Sequence, residues 1–441
     1  MNIRLLRNKD FALLMGGQYI SSIGSGMQSF ALSLYVLSIT GSGGKFASVL
    51  AVSVIPKLIL GPVSGVFIDR INRKKIIVCL DILSGIVSAL FYILSITSGI
   101  KLLYIYIGVI ILSIISSIYS PAINSVFPSI MKKDELVDAN ALSSVIMSTA
   151  SIISPMLAGA LYGLLGLPII LLLNAVSFFC VSFMELFVKV PQVMRENIKF
   201  TFALFKKDFA EGVKFIVNHK LLRKMLICAF IINFTLNPMM SIGFVYLAKM
   251  VLKVSDVQLG MQQTVFVAGS LVGPFIASKL LKKLELSKIF YMGLFVLGGL
   301  ITFIAFNTSK FIMDLFTGTT VPFILLVFIG ALVVAIIGII NISLTTIKQR
   351  ETPMELYGRV NSVQTMAAMS AVPLGQILFG SLLDHMPSYI TILLTSFSLA
   401  ITAFLFRHSL LAEEKRNSGR ELVIEEEAVI IGEEIVNTEI S

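Results

Sequence analysis

The chain has 441 residues, 56% of them apolar and only 14% charged, with a mean hydropathy of +0.92 and a formal net charge of +10. A water-soluble domain this poor in charge would expose apolar patches large enough to aggregate, which excludes a soluble globular protein. Cys79, Cys180 and Cys228 lie in apolar runs with no CxxC pattern, and His219, His385 and His408 are far apart, so neither a disulfide framework nor a metal-ligand set is spelled out. The cysteines read as buried free thiols.

A bilayer core about 30 Å thick is crossed by roughly 20 apolar residues in a helix. Runs of that length predict twelve spans, near 11–39, 46–68, 76–97, 102–123, 138–163, 169–188, 223–247, 257–280, 288–306, 322–347, 359–383 and 390–406. Twenty-nine of the 35 Lys and Arg residues fall on the termini and even-numbered loops. The positive-inside rule therefore predicts cytoplasmic termini and a multi-pass protein of the cell (plasma) membrane. This distribution accounts for the basic charge without nucleic acid. The first span has no small-residue cleavage site and reads as a retained helix.

On span one, Gln18, Ser21, Ser25 and Gln28 recur at i, i+3, i+7 and i+10 and form a polar stripe, a candidate substrate surface. Gly41-Ser-Gly-Gly-Lys45 misses the spacing of a nucleotide phosphate loop, and an ATP-driven pump is disfavoured. Lys57, just after Pro56, is the ionisable side chain nearest mid-membrane. It neutralises an anionic substrate, takes part in proton coupling, or snorkels along a kinked helix. Between spans two and three stands Gly65-Val-Phe-Ile-Asp69-Arg70-Ile-Asn-Arg73-Lys74-Lys75. A carboxylate at a membrane surface needs a partner, which Arg70, Arg73 or the positive N-terminus of a neighbouring helix can supply. Gly65 permits close helix approach.

Asp81 and Glu185 lie near the cytoplasmic ends of spans three and six and are candidate coupling residues; pairing with Arg73, Lys74 or Lys189, or snorkelling, is the alternative. Asn124 on span four, Asn233 and Asn237 on span seven and Asn341 on span ten are further candidate cavity contacts, or structural bonds between helices. Span five carries Ala141-x8-Ala150-x3-Ser154-Pro155-x2-Ala158-Gly159, a small-residue face for tight packing with a bend at Pro155. No cluster of His, Asp or Glu within the spans suggests an enzyme.

The longest polar connection, 189–222, divides the spans into bundles at 1–188 and 223–406. Its Phe200, Phe202, Phe205, Phe209, Phe215 and Ile216 alternate with Lys206, Lys207, Lys214 and Lys220. That pattern predicts an amphipathic helix lying on the cytoplasmic leaflet, or else a solvated linker. The two halves echo each other. Gly65 to Asp69 matches Gly273 to Ala277, Lys74 and Lys75 fall opposite Lys282 and Lys283, and Glu135, Leu136 and Asn140 match Glu355, Leu356 and Asn361. These correspondences predict parallel six-helix repeats. Residues 407–441 form a glutamate-rich tail that reads as a solvated cytoplasmic segment.

Gly65-x-x-x-Asp69-Arg70-x-x-Arg73-Lys74-Lys75 resembles the signature loop of the major facilitator superfamily, and twelve spans with a long central loop are similar to the same family. Pro121-Ala-x-Asn124, Pro128, Glu135-Leu-x-x-Ala-Asn140 and Gly358-Arg359-Val resemble the branch containing macrolide-efflux proteins and the enterobactin exporter. The span-five series resembles the antiporter motif, with Ala or Ser at every glycine position but the last. The resemblance implies an all-α polytopic fold of two pseudo-symmetric six-helix bundles, with spans one, four, seven and ten facing a central cavity. It implies a monomeric secondary-active exporter of small amphipathic molecules, macrolide-like drugs or siderophores, coupled to proton antiport and needing no cofactor. Asp69 is then expected to latch onto the start of span eleven near Arg359, on one half only, because Ala277 replaces the carboxylate in the echo. An importer or lysolipid flippase of the same fold, or a non-transporting receptor, are the rival readings.

Overall fold

A computed structural model of the chain describes residues 5, 7–68, 72–131, 135–189, 202–280, 284–316, 318–405 and 407. Asp69 and Arg70, Lys282 and Lys283, residues 190–201 with Phe200, and the tail beyond 407 lie outside the described residues.

The first half holds α1 (Lys9–Thr40), α2 (Gly43–Ile68), α3 (Arg73–Thr97), α4 (Leu102–Ile130), α5 (Leu136–Leu165) and α6 (Leu167–Leu186). An amphipathic helix, α7 (Phe202–Asn218), leads into the second half. There stand α8 (Lys220–Val251), α9 (Asp256–Leu280), α10 (Leu286–Asn307), the short α11 (Lys310–Leu315), α12 (Thr320–Glu351), α13 (Met354–His385) and α14 (Ser388–Leu405). Among the described residues, eleven helices are long and apolar enough to cross a membrane. The twelfth span is α9, whose first half is diluted by Gln258, Gln262, Gln263 and Thr264.

Most helices overrun their apolar stretches by a turn or less, because their caps lie outside the apolar run. The Asn8 side chain accepts the amide protons of Asp10 and Phe11 at the start of α1, and Asn72 accepts that of Lys75 at the start of α3. Gly41, left-handed at φ 61°, ends α1. The residues described at both ends of the chain meet at one face, here the terminal face; the α1–α2 turn marks the opposite face.

Within the first half, α1 packs on α5 and α6, α3 on α6, and α2 on α4; within the second, α8 packs on α13 and α12 on both α9 and α10. The halves meet along α2 with α13 and α5 with α9. A large apolar cluster runs through the second half around Phe244, Phe266 and Phe290 and takes in Leu34, Leu37, Phe46 and Ala47 of the first, and a small one sits around Ala277, Ile289 and Ile339. In the first half the apolar core is split into a cluster around Phe11, Leu14 and Ile77 and another around Val36, Phe91 and Ile105.

Two expectations change. Helix α7 packs against α13 and α8, with Ile216 buried and Phe209, Val213 and Phe215 set against the second-half core, so that part of its apolar face meets protein where a lipid surface was expected. Of the three thiols only Cys228 is buried; Cys79 and Cys180 are exposed, on helices whose outward faces are apolar throughout.

Candidate functional site

The polar stripe on α1 forms one wall of a cavity of about 440 Å³ bounded by α1, α2, α3, α4 and α6. Gln18, Ser21, Ser25 and Gln28 all line it, as their helical spacing requires. Across from them α2 supplies Ser53 and Lys57, and α3 supplies Asp81 and Ser84. The remaining polar wall comes from Ser113, Ser116, Tyr119 and Ser120 on α4 and Asn174 on α6. This polar layer lies in the half whose apolar core is divided in two.

The hydroxyls have a common orientation of function. Ser21 donates to the Gln18 carbonyl at 3.3 Å, Ser53 to Leu50 at 2.7 Å, Ser84 to Leu80 at 2.9 Å and Ser113 to Ser53 at 2.5 Å. Each has then spent its one proton on backbone and keeps lone pairs to offer. The wall is consequently rich in acceptors. Gln28 and Asn174 are already tied together, Asn174 Nδ2 donating to Gln28 Oε1 at 2.8 Å and to Ser88 Oγ at 3.3 Å, which braces α1, α3 and α6.

Asp81 is 2% exposed and Glu185 1% exposed. The Tyr119 hydroxyl donates to Glu185 Oε1 at 3.1 Å. Asp81 Oδ2 and Glu185 Oε2 are buried with no hydrogen-bond partner among the described residues. The cations expected to pair with these acids bond elsewhere too: Arg73 Nη1 donates to the Ser125 carbonyl at 3.0 Å and Lys74 Nζ to the Leu186 carbonyl at 2.6 Å, while Lys189 is exposed. Snorkelling is excluded for both carboxylates by their burial. Lys57 lines the same cavity but remains exposed.

None of the four asparagines lines this cavity. Asn124 and Asn341 are exposed, and Asn237 is half-buried. Asn233 bonds its own helix at the Ala229 carbonyl, 2.9 Å away. Asn233, Asn237 and Asn341 belong to the other bundle, and Asn124 lies one turn beyond Ser120 on α4, toward the terminal face.

A second site joins the bundles. Asp384, at the end of α13, accepts the Gly43 amide at 2.7 Å through Oδ1, and the Gly44 amide at 3.0 Å and the Ser42 hydroxyl at 2.7 Å through Oδ2. The glycine-rich start of α2 thus does bind an anion, a carboxylate carried by the other bundle. Around it a Cβ on Gly380 would meet the Ala47 Cβ at 2.3 Å and one on Gly44 the Asp384 carboxylate at 2.6 Å. Sequence reading missed Asp384, although its signal was there: a helix start with two adjacent glycines and no acidic residue in its first turn.

The small residues of α5 serve two contacts. Ser154 is buried, donates to the Ala150 carbonyl at 2.6 Å and lies where a Cβ on Gly26 of α1 would fall. Ala150 and Ala158 are buried, and Gly159 meets Gly260 of α9 backbone to backbone, a Cβ there falling 2.6 Å from the Gly260 Cα. The Pro155 carbonyl completes this contact, within 3.0 Å of a Cβ on Gly260. All these bundle-to-bundle glycine contacts lie toward the opposite face.

At the terminal face Arg359, near the start of α13, bonds Asp208 Oδ1 at 3.0 Å through Nη2 and Glu211 through Nη1, both on α7. Beside this fork, a Cβ on Gly212 would lie 2.8 Å from the Arg359 carbonyl oxygen. The guanidinium expected to meet Asp69 is thus engaged by the central helix. Gly65 falls within α2.

Residues 14–376 match the family model described as Major Facilitator Superfamily. Macrolide efflux protein A of Streptococcus pyogenes is 24% identical over 383 residues, covering 85% of this chain and 89% of that protein. Among solved structures, a bacterial homologue of the iron transporter ferroportin in an inward-facing state superposes with a TM-score of 0.71 at 18% identity, over 93% of this chain and 99% of that one. The nucleoside transporter NupG does so with 0.70 at 14% identity, over 93% and 99%.

Proposed function

Since the chain belongs to the Major Facilitator Superfamily, we propose that it is a secondary-active exporter of small amphipathic molecules, driven by protons moving in the other direction. The observation that carries this reading is the Asp384 cap, an exposed carboxylate of one bundle holding a helix start of the other at the face opposite the termini. An N-cap is worth about 0.5–2 kcal/mol. A tie of that size biases an equilibrium between two bundle arrangements and is still broken in every cycle, as alternating access requires.

With the termini cytoplasmic, the face closed by Asp384 and by Gly159 against Gly260 is the external one, and cargo enters from the cytoplasm. Gly65, Asp69, Arg70, Arg73 and Lys74 serve the cytoplasmic face when the external one opens. Export is supported by the small-residue series Ala150, Ser154, Pro155, Ala158 and Gly159 and by the efflux named for the streptococcal relative.

Everted membrane vesicles with an acidified interior test this directly. They accumulate a radiolabelled macrolide several-fold over vesicles lacking the protein, and a protonophore abolishes the difference. Equal labelling of the two vesicle preparations excludes export of this class. Asp69→Asn inserts normally and removes the accumulation; full activity in that variant takes Asp69 out of the cycle.

A further inference from the structure

We propose that the cavity inside the first bundle is the compartment of the coupling proton, with Asp81 the group that carries it, apart from the path of the cargo. This rests on the reading of the chain as a proton-driven carrier and names the site of that coupling.

The cavity selects for positive charge. Ser21, Ser53, Ser84 and Ser113 donate their protons to backbone carbonyls, so what they turn toward the cavity is lone pairs. Gln18 Oε1 is a further buried acceptor without a partner among the described residues. These groups of the wall solvate hydrogen-bond donors.

Within the wall Asp81 is nine-tenths buried and beyond, with Oδ2 unpartnered. An ionised carboxylate held there costs several kcal/mol unless a counter-charge or a proton relieves it. The charged and titratable groups on the elements around Asp81 are few among the described residues: Lys57 from α2, Tyr119 from α4 and Glu185 from α6, while α1 turns only amides and hydroxyls to the cavity. Arg73 and Lys74, two turns away on α3 itself, bond the Ser125 and Leu186 carbonyls.

The step balances simply. Water on one side of the membrane gives up a proton, an O–H bond forms on the Asp81 carboxyl, and the same bond breaks when the proton is handed to water on the other side. Glu185, which accepts the Tyr119 hydroxyl, is the second buried acid near it. Lys57 links this charge to movement. It sits on α2, the helix whose first residues Asp384 holds, so the cavity and the bundle contact share one helix. Ionised Asp81 draws the Lys57 ammonium across the cavity; protonated Asp81 lets it go.

Two measurements on the full-length purified protein test the proposal. Infrared difference spectra across a pH titration show the band of an un-ionised carboxyl group that responds to pH in the wild type and is lost in Asp81→Asn. In proteoliposomes a pH gradient of one unit supports up to about tenfold macrolide accumulation per proton exchanged. The ratio of uptake with the gradient to uptake without it falls to about one in Asp81→Asn and recovers, with a displaced pH midpoint, in Asp81→Glu. Tyr119→Phe, which keeps the volume, displaces the midpoint without removing the stimulation.

An unchanged infrared band in Asp81→Asn, or wild-type stimulation by the gradient, overturns the proposal. So does a wild-type protein driven by a sodium gradient and indifferent to pH. If the wild type moves no macrolide, the exporter reading fails, and the infrared titration decides the proton site alone. Should Asp81→Asn fail to assemble, Asp81→Glu and Tyr119→Phe supply the same comparison of midpoints.

Discussion

Helix α13 is held very differently at its two ends. Near its last turn Asp384 grips the start of α2 in the other bundle. Near its first turn Arg359 grips Asp208 and Glu211 on α7, a helix packed against α8 and α13 of its own bundle. One tie crosses between the halves and the other stays within a half. The halves are thereby fastened at the opposite face, while among the described residues of the terminal face the central helix packs on the second bundle. A pair of similar charged contacts on one helix can thus have unlike consequences, decided by which body the partner belongs to.

The contrast is broken most severely at the other backbone contact between the bundles, where α5 meets α9. Gly159→Leu puts a side chain where the Gly260 Cα stands, and overpacking of this kind costs about 1–3 kcal/mol or more. The opposite face then fails to close, vesicle transport drops at least tenfold, and the protein still reaches the membrane at wild-type level. Wild-type transport in this variant would show that the faces do not need to meet there.

Asp384→Ala tests the cap itself. Loss of about 1 kcal/mol moves the equilibrium between bundle arrangements roughly fivefold toward separation at that face. Spin labels placed at positions 41 and 386 report this as a longer distance population. An unaltered distribution removes Asp384 from the gate.

The smallest effect is expected at the other end. Each contact of Arg359 joins groups 37–39% exposed, where a pair is worth about 0.2–1 kcal/mol. Arg359→Ala lowers transport less than about threefold but speeds tryptic cleavage at Lys206 and Lys207 on the loosened helix. A loss as large as that of Gly159→Leu would mean that this end also joins the bundles.

What could be read from the chain follows from how far apart the interacting groups lie. The stripe of Gln18, Ser21, Ser25 and Gln28 was visible because a helix repeats every 3.6 residues, and all four line one cavity. Lys57 was visible because charge is rare in hydrocarbon. The burial of Asp81 was legible too but went unread: Asp81, Ser84 and Ser88 recur at i, i+3 and i+7 on α3, and all three are buried. The Asp384 cap was half legible: the glycine start of α2 showed a place for an anion, but its partner lies 341 and 340 residues away. That part of the apolar side of α7 meets protein was not legible, because an amphipathic helix looks the same whether that side meets lipid or protein. The lengths of the spans were legible because the bilayer imposes them, even in α9, where a run of glutamines interrupts the apolar stretch.

The exposure of the Asp384 cap gives the carrier a dependence on its surroundings. An exposed carboxylate held by a helix start is weakened by dissolved ions, whose screening length is about 8 Å at physiological ionic strength and about 30 Å at 0.01 M. The salinity of the medium bathing that face therefore enters the cycle as a variable. Dilute surroundings hold the halves together, and brine loosens them.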